Sequence, residues 1–170
     1  MLSHGSWTGA PFAVLASDVH PRVAAGTRLA VWRWRVGGLD CASGAAAARC
    51  GVRVLPPSAA SSALATLQSA AADAELTGTL RVAARVCASS GWALLGETAA
   101  FAALSPQRFA AMECTASGLS VSVAGASGET VAVAAVDAKA AAAVVVIVNV
   151  TIPAAGTIAI SFPPSSQQLE

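Results

Sequence analysis

Histidine is nearly absent from this chain: His4 and His20 are the only two in 170 residues. Two imidazoles and no Gly-x-Ser-x-Gly turn leave Ser-His-Asp catalysis without its parts, and Gly118-Leu-Ser120-Val-Ser122 lacks the second glycine of that turn. Charge is scarce as well. Lys, Arg, Asp and Glu make up 11% of the chain, less than half the usual share of about 25%. The net charge of +1 argues against a polyanion-binding surface. What charge there is divides unevenly: residues 1–108 hold nine arginines against five acids, and residues 109–170 hold Lys139 against four acids. Glu97 and Glu113 are the only carboxylates that invite a glycosidase reading, and nothing in their positions brings them to one cleft. Gly125-Ala-Ser-Gly128 has neither a lysine nor a following helix, so it reads as a turn rather than a phosphate cradle. The longest apolar run, residues 140–148, falls far short of the roughly 20 residues that span a bilayer. The opening Met1-Leu-Ser-His-Gly lacks the basic start and apolar run of a signal peptide. The expectation is a fragment of a longer secreted protein, with the final Leu169-Glu170 set aside as a cloning scar.

One motif hints at metal chemistry. Phe12-Ala-Val-Leu-Ala-Ser-Asp18-Val-His20 is an apolar strand that ends in Asp-x-His. It resembles the first metal-binding motif of calcineurin-like metallophosphoesterases, in which Asp and His hold a metal that activates water. The downstream Gly-Asp and Gly-Asn-His motifs of that family are missing, so a phosphoesterase-like fragment ranks third among the functional readings and no metal or cofactor is expected.

What the chain does have is apolar residue, 55% of the total, in a length suited to one domain over residues 1–168. Much of it is alanine, which buries little area per residue. Disorder is not expected at this hydrophobicity and low net charge. The second half reads as four strands, at 118–124, 129–136, 143–152 and 157–162. Leu119, Val121 and Val123 alternate with Ser120, Ser122 and Ala124, the period of a half-buried strand. The run Val144-Val-Val-Ile-Val148 is apolar on both faces, which suits a strand covered on both sides. The loops 125–128 and 153–156 read as the turns of two hairpins.

In the first half, strands are expected at 11–17, 27–36, 51–55 and 76–88, with 91–95 as a hairpin partner of the last through Ser89-Ser90. Along 27–36, Ala30, Trp32, Trp34 and Val36 share one face, and Leu29, Val31, Arg33 and Arg35 share the other. Along 76–88, Leu80, Val82, Ala84 and Val86 are expected inward and Cys87 outward. Residues 58–74 read as a short helix, because Leu64, Leu67 and Ala71 recur at helical spacing in an alanine-rich stretch. Residues 99–111 fit neither pattern. About eight or nine strands with close turn signals predict an all-β, two-layer antiparallel sandwich, Ig-like or jelly-roll-like, with one short helix.

Four cysteines allow three pairings. None lies in a C-x-x-C, so structural zinc is not expected. Cys41–Cys50 closing a small-residue loop and Cys87–Cys114 tying the centre to the C-terminal unit is the preferred pairing; four buried reduced thiols are the alternative. The only asparagine, Asn149, stands in Asn149-Val-Thr151, a glycosylation sequon. Together these place the chain in an oxidising, extracellular or secretory setting.

Aromatic residues are the remaining source of a binding surface. Trp32 and Trp34 are expected in the core. Trp7 and Trp92 lie beside glycines near turns and are the candidate exposed rings for a sugar face, with Arg33 or Arg35 as hydrogen-bond donors. The strand-and-turn layout of Gly118-Leu-Ser-Val-Ser-Val-Ala-Gly-Ala-Ser-Gly-Glu-Thr-Val-Ala-Val, followed by Val150-Thr-Ile-Pro-Ala-Ala-Gly-Thr-Ile-Ala-Ile-Ser-Phe162, resembles the Ig-like or C-terminal β-sandwich domains of extracellular glycoside hydrolases. That resemblance implies a non-catalytic accessory or carbohydrate-contacting module, with a glycan or a neighbouring domain as partner. A structural or adhesive protein-interaction domain is the alternative; neither nucleic acid nor a membrane span is expected.

Overall fold

In the computed structural model, residues 12–15, 27–33, 39, 41–56, 63–67, 81–100 and 103–163 are described. They hold eleven strands and no helix: β1 (Phe12–Leu15), β2 (Leu29–Arg33), β3 (Arg53–Leu55), β4 (Ala63–Leu67), β5 (Arg81–Arg85), β6 (Trp92–Glu97), β7 (Phe109–Cys114), β8 (Leu119–Ala124), β9 (Thr130–Asp137), β10 (Val144–Thr151) and β11 (Thr157–Phe162). All pairings are antiparallel. β1 pairs with β4, and three sheets of three strands run β3-β2-β5, β10-β9-β6 and β11-β8-β7.

The β10-β9-β6 sheet lies in the middle and is packed on both faces. Alternate residues of β9 explain how. Val131, Val133 and Ala135 face one core, shared with Leu119, Val121, Val123, Ile160 and Phe162 of the β11-β8-β7 sheet. Ala134 and Val136 face the other, shared with Ala30, Trp32, Val52 and Ala84 on the side of the β3-β2-β5 sheet. The expected sandwich is present, and a third sheet covers its second side. This is why Val144–Val148 is apolar on both faces: Val145 belongs to one core and Val148 to the other.

The two cores differ in composition. Among the described residues of the β3-β2-β5 side, seven of fourteen buried ones are alanine, and Trp32 is the one large ring. On the β11-β8-β7 side only Ala135 is alanine, and Trp92, Phe162, Leu119, Ile152 and Ile160 supply bulk. Burial scales with apolar area, so among the described residues the second interface holds the larger share.

The loops expected to close hairpins do something else. β8 and β9 lie in different sheets, as do β10 and β11, so 125–129 and 152–156 are arches that carry the chain across the sandwich. The true hairpins are β7–β8 and β9–β10. Turn residues look alike in both cases, because glycine and proline permit reversal whichever sheet receives the next strand. The arches stack on one another: Gly125 N–H donates to the Gly156 carbonyl at 3.0 Å, and Ile152 N–H to the Glu129 carbonyl at 2.8 Å.

Three further expectations need correction. Residues 63–67, read as the middle of a helix, form strand β4 in register with β1, Phe12 opposite Leu67; strand pairing overrides alanine's helical preference there, since propensity is small beside tertiary context. β6 is not the sheet partner of β5. It turns away at residues 88–91 and joins β9, with Trp92 opposite Asp137, while β5 pairs with β2. Cys87, expected outward, is 4% exposed because the chain leaves the β5 alternation there and enters the second core. Residues 99–111, ambiguous by pattern, contain the start of β7 at Phe109. Gly96, at a bulge in β6, has φ +100°, and a Cβ there would collide with the Ala103 carbonyl, so a side chain is excluded on both counts.

Candidate functional site

Sequence-predicted site residues are dispersed by the fold. Trp92, expected as an exposed ring, is 7% exposed; its ring lies 5.7 Å from that of Phe162, inside the second core. Its neighbour Gly91 marks a turn, but the first residue after the turn points inward. No ring face is left there for a sugar. Trp32 is 1% exposed, as expected, and its indole N–H donates to the Leu95 carbonyl at 3.3 Å. Arg33 ends β2, opposite Arg81. Trp7, Asp18, His20, Trp34 and Arg35 lie outside the described residues. Glu97 is in the middle sheet and Glu113 in β7 of an outer sheet, so the two acids do not form a pair. Among the described residues no three His, Cys, Asp or Glu side chains group as metal ligands.

Both preferred disulfides are formed. Cys41 and Cys50 have Cα atoms 5.1 Å apart, and Cys87 and Cys114 have theirs 5.6 Å apart. The second joins the β5–β6 connection to the end of β7.

The densest polar cluster among the described residues is one the sequence reading does not name. Arg108 donates from Nε to Glu97 at 2.9 Å, from one terminal nitrogen to Glu129 at 3.0 Å and the Ala124 carbonyl at 2.7 Å, and from the other to Glu129 at 2.5 Å. Glu129 also accepts the Ala126 N–H at 3.0 Å. Hydrogen bonding to Glu129 raises the Arg108 pKa, and hydrogen bonding from Arg108 lowers that of Glu129. Four of the five guanidinium N–H groups are thus engaged by the protein, so the cluster fastens β6, the turn before β7 and the first arch, and leaves little for a ligand. A signal existed in the sequence: Arg108 is the only arginine after Arg85 and lies between Glu97 and Glu129.

The second feature is an edge. β10 borders the middle sheet, and the disulfide-closed loop 41–50 runs along part of it. Ala47 N–H donates to the Ala143 carbonyl at 2.7 Å, Gly44 N–H to the Val145 carbonyl at 2.8 Å, and Val145 N–H to the Ala45 carbonyl at 2.9 Å. Ser43 Oγ then accepts from Ile147 N–H at 3.0 Å and donates to the Ile147 carbonyl at 3.3 Å. A side chain here does the work of a backbone residue. The cover ends at Ile147. Asn149 and Thr151, next in the same alternation, are exposed.

Compared with protein-family models, curated proteins and solved structures, the chain finds no match in any of the three.

Proposed function

We propose that this chain is a non-catalytic accessory module of a larger extracellular protein. The supporting observation is a three-layer β stack that carries two disulfides, Cys41–Cys50 and Cys87–Cys114. Disulfides persist in oxidising compartments and are rare in the cytosol. The fold is all-β, and no helix among the described residues is long and apolar enough to cross a membrane. Among the described residues the polar groups gathered most densely, Arg108 with Glu97 and Glu129, bind one another.

Contact with carbohydrate is the finer part of this reading and rests on Trp7, Arg33 and Arg35, since Trp92 is inside. A glycan array on the wild type and Trp7→Ala tests it: binding lost in the variant supports the contact, and a blank array removes it. The module as a whole is tested by intact mass with and without reductant, together with phosphoester and glycoside turnover assays. Free thiols in protein secreted from an oxidising host, or turnover of either substrate class, would overturn it.

A structural or adhesive role toward protein has one observation in its favour. β7 is an edge strand in which residues 110–114 are exposed, and Met112, 51% exposed, is the one exposed large apolar side chain among the described residues. The Val144–Val148 run does not serve this role at its own edge, because the 41–50 loop covers it. Light scattering at rising concentration separates the two: a monomer throughout counts against self-association through β7.

A further inference from the structure

We propose that Asn149 carries an N-linked glycan, and that this glycan covers the part of the β10 edge that the 41–50 loop leaves open. The inference rests on the extracellular reading above and adds a modification site to it.

Three observations converge on Asn149. Its sequon, Asn149-Val150-Thr151, is the only one in the chain, since Asn149 is the only asparagine. Both Asn149 and Thr151 are exposed, although they sit in a strand whose other members are buried or half-buried. The backbone register then fixes the side of the strand on which they matter. In an antiparallel strand the N–H and C=O of one residue point to the same side, and successive residues alternate. Val145 and Ile147 present theirs to the 41–50 loop. Ile152 presents its own to the opposite side, where Gly128 and Glu129 meet it. By that alternation Asn149 and Thr151 aim their N–H and C=O groups outward, beyond the end of the loop. Among the described residues nothing covers them.

The neighbourhood is open enough for a sugar. Asn149 lies opposite Ala132, and Thr151 lies opposite Thr130 with the hydroxyl oxygens 3.3 Å apart. On that face the β3-β2-β5 sheet no longer covers the middle sheet: Ala134 and Val136 are buried in the core, but Thr130 is exposed. The result is a ledge of one methyl and two hydroxyls beside an unpaired strand edge. Uncovered edges invite pairing with another chain, and proteins block them with charge, proline or cover. This stretch has neither charge nor proline, so a bulky, hydrated glycan supplies the cover.

The transfer itself is ordinary. Asn149 Nδ2 forms a bond to C1 of the reducing-end sugar of a lipid-linked pyrophosphoryl oligosaccharide. The bond from C1 to the pyrophosphate oxygen breaks, the lipid pyrophosphate leaves with that electron pair, and one amide proton passes to the transferase base. Acceptance precedes sheet formation, when the strand is still free.

The test uses protein secreted from a eukaryotic host: wild type, Asn149→Gln, Thr151→Ala and Thr151→Ser. Peptide mass after N-glycanase should show occupancy in the wild type and Thr151→Ser and none in the other two. Both unoccupied variants, with disulfides intact, should lose monomer severalfold by light scattering at matched concentration. Native enzymatic deglycosylation of folded wild type should do the same, which covers the case in which a variant fails to fold. Secreted, fully oxidised wild type with an unmodified Asn149 overturns the site and leaves the extracellular reading standing. Free thiols sink that reading and the inference with it. An occupied site whose removal leaves the monomer unchanged overturns the edge role.

Discussion

Arg108 and Glu129 meet side by side, two guanidinium nitrogens on two carboxylate oxygens at 3.0 and 2.5 Å, where the first arch leaves the outer sheet. Glu97 takes the remaining Nε–H from the end of β6. The cluster fixes the crossing between sheets rather than the sheets themselves. Arg108→Met should therefore lower the unfolding midpoint while leaving the far-ultraviolet spectrum of the folded state unchanged. The pH dependence carries the sign. The Glu129 carboxyl titrates below the ordinary glutamate range of about 4.3. Its contribution is present above that range and disappears as pH falls through the depressed folded value. Urea midpoints of wild type and Arg108→Met should differ at pH 7 and converge in acid; a constant gap down to pH 2 would show that the ion pair is not the cause.

The two disulfides should differ in worth because they close loops of different length, with sequence separations of 9 and 27. The chain-entropy estimate gives about 2.7 kcal/mol for the shorter and about 3.6 kcal/mol for the longer. Paired Cys→Ala variants measured by denaturant unfolding should keep that order. Loss of Cys41–Cys50 should have a second effect, because the loop it closes lies along β10. A rise in association beyond that seen on losing Cys87–Cys114, read by light scattering, is the expected outcome; equal behaviour would mean the loop does not guard the edge.

Trp32 is the only large ring among the described residues of a core half made of alanine. Trp32→Ala should cost about 3–5 kcal/mol, the usual range for removing a buried aromatic. Phe162→Ala in the other core should fall in the same range, whereas Ser122→Ala on the half-exposed outer face of β8 should stay within about 0.5 kcal/mol. Chemical denaturation of the three variants settles the ranking, and a mild Trp32→Ala would show that the alanine-rich layer closes around the loss.

The extent to which this fold was legible follows from what each pattern encodes. Alternation in Leu119–Ala124, together with the apolar runs and turn signals that follow it, located β8 to β11 within a residue or two at each end, because these patterns report which faces are covered. Apolar residues on both faces of Val144–Val148 signalled cover on both sides, and the third layer supplies it. Partner choice was not legible. Gly125 and Pro153 mark reversals equally well for a hairpin and for an arch, and only packing decides which sheet takes the next strand. Alanine misled at 63–67, where its helical preference yielded to pairing with β1. Trp92 misled because adjacency to a turn glycine says nothing about the side to which the next residue points. Cysteine pairing was legible: the preferred Cys41–Cys50 and Cys87–Cys114 are the bridges formed. Of the Arg108 cluster only the isolated arginine between two acids was visible; that the three meet was not, because they lie 11 and 21 positions apart on separate elements.

The inequality of the two cores predicts an order of opening. β2 and β8 are matched in position, each being the central strand of an outer three-stranded sheet, so the amides of both are held from both sides. They differ in what lies beneath them. Under β2 the middle sheet offers Ala93, Leu95, Ala134, Val136 and Val145; under β8 it offers Trp92, Leu94, Val131, Val133, Ala135, Val148 and Val150. Each missing methylene removes about 0.8 kcal/mol of burial. Local opening follows the least buried contacts, so the β3-β2-β5 sheet should lift away before the sandwich beneath it unfolds. Native-state hydrogen exchange should show amides of Ala30 to Trp32 exchanging at least about tenfold faster than those of Val121 to Val123, a gap of about 1.4 kcal/mol. Trp32→Ala should widen the gap by weakening only the first set. Equal protection of the two strands, in the wild type and in the variant, would mean that the three layers open as one unit.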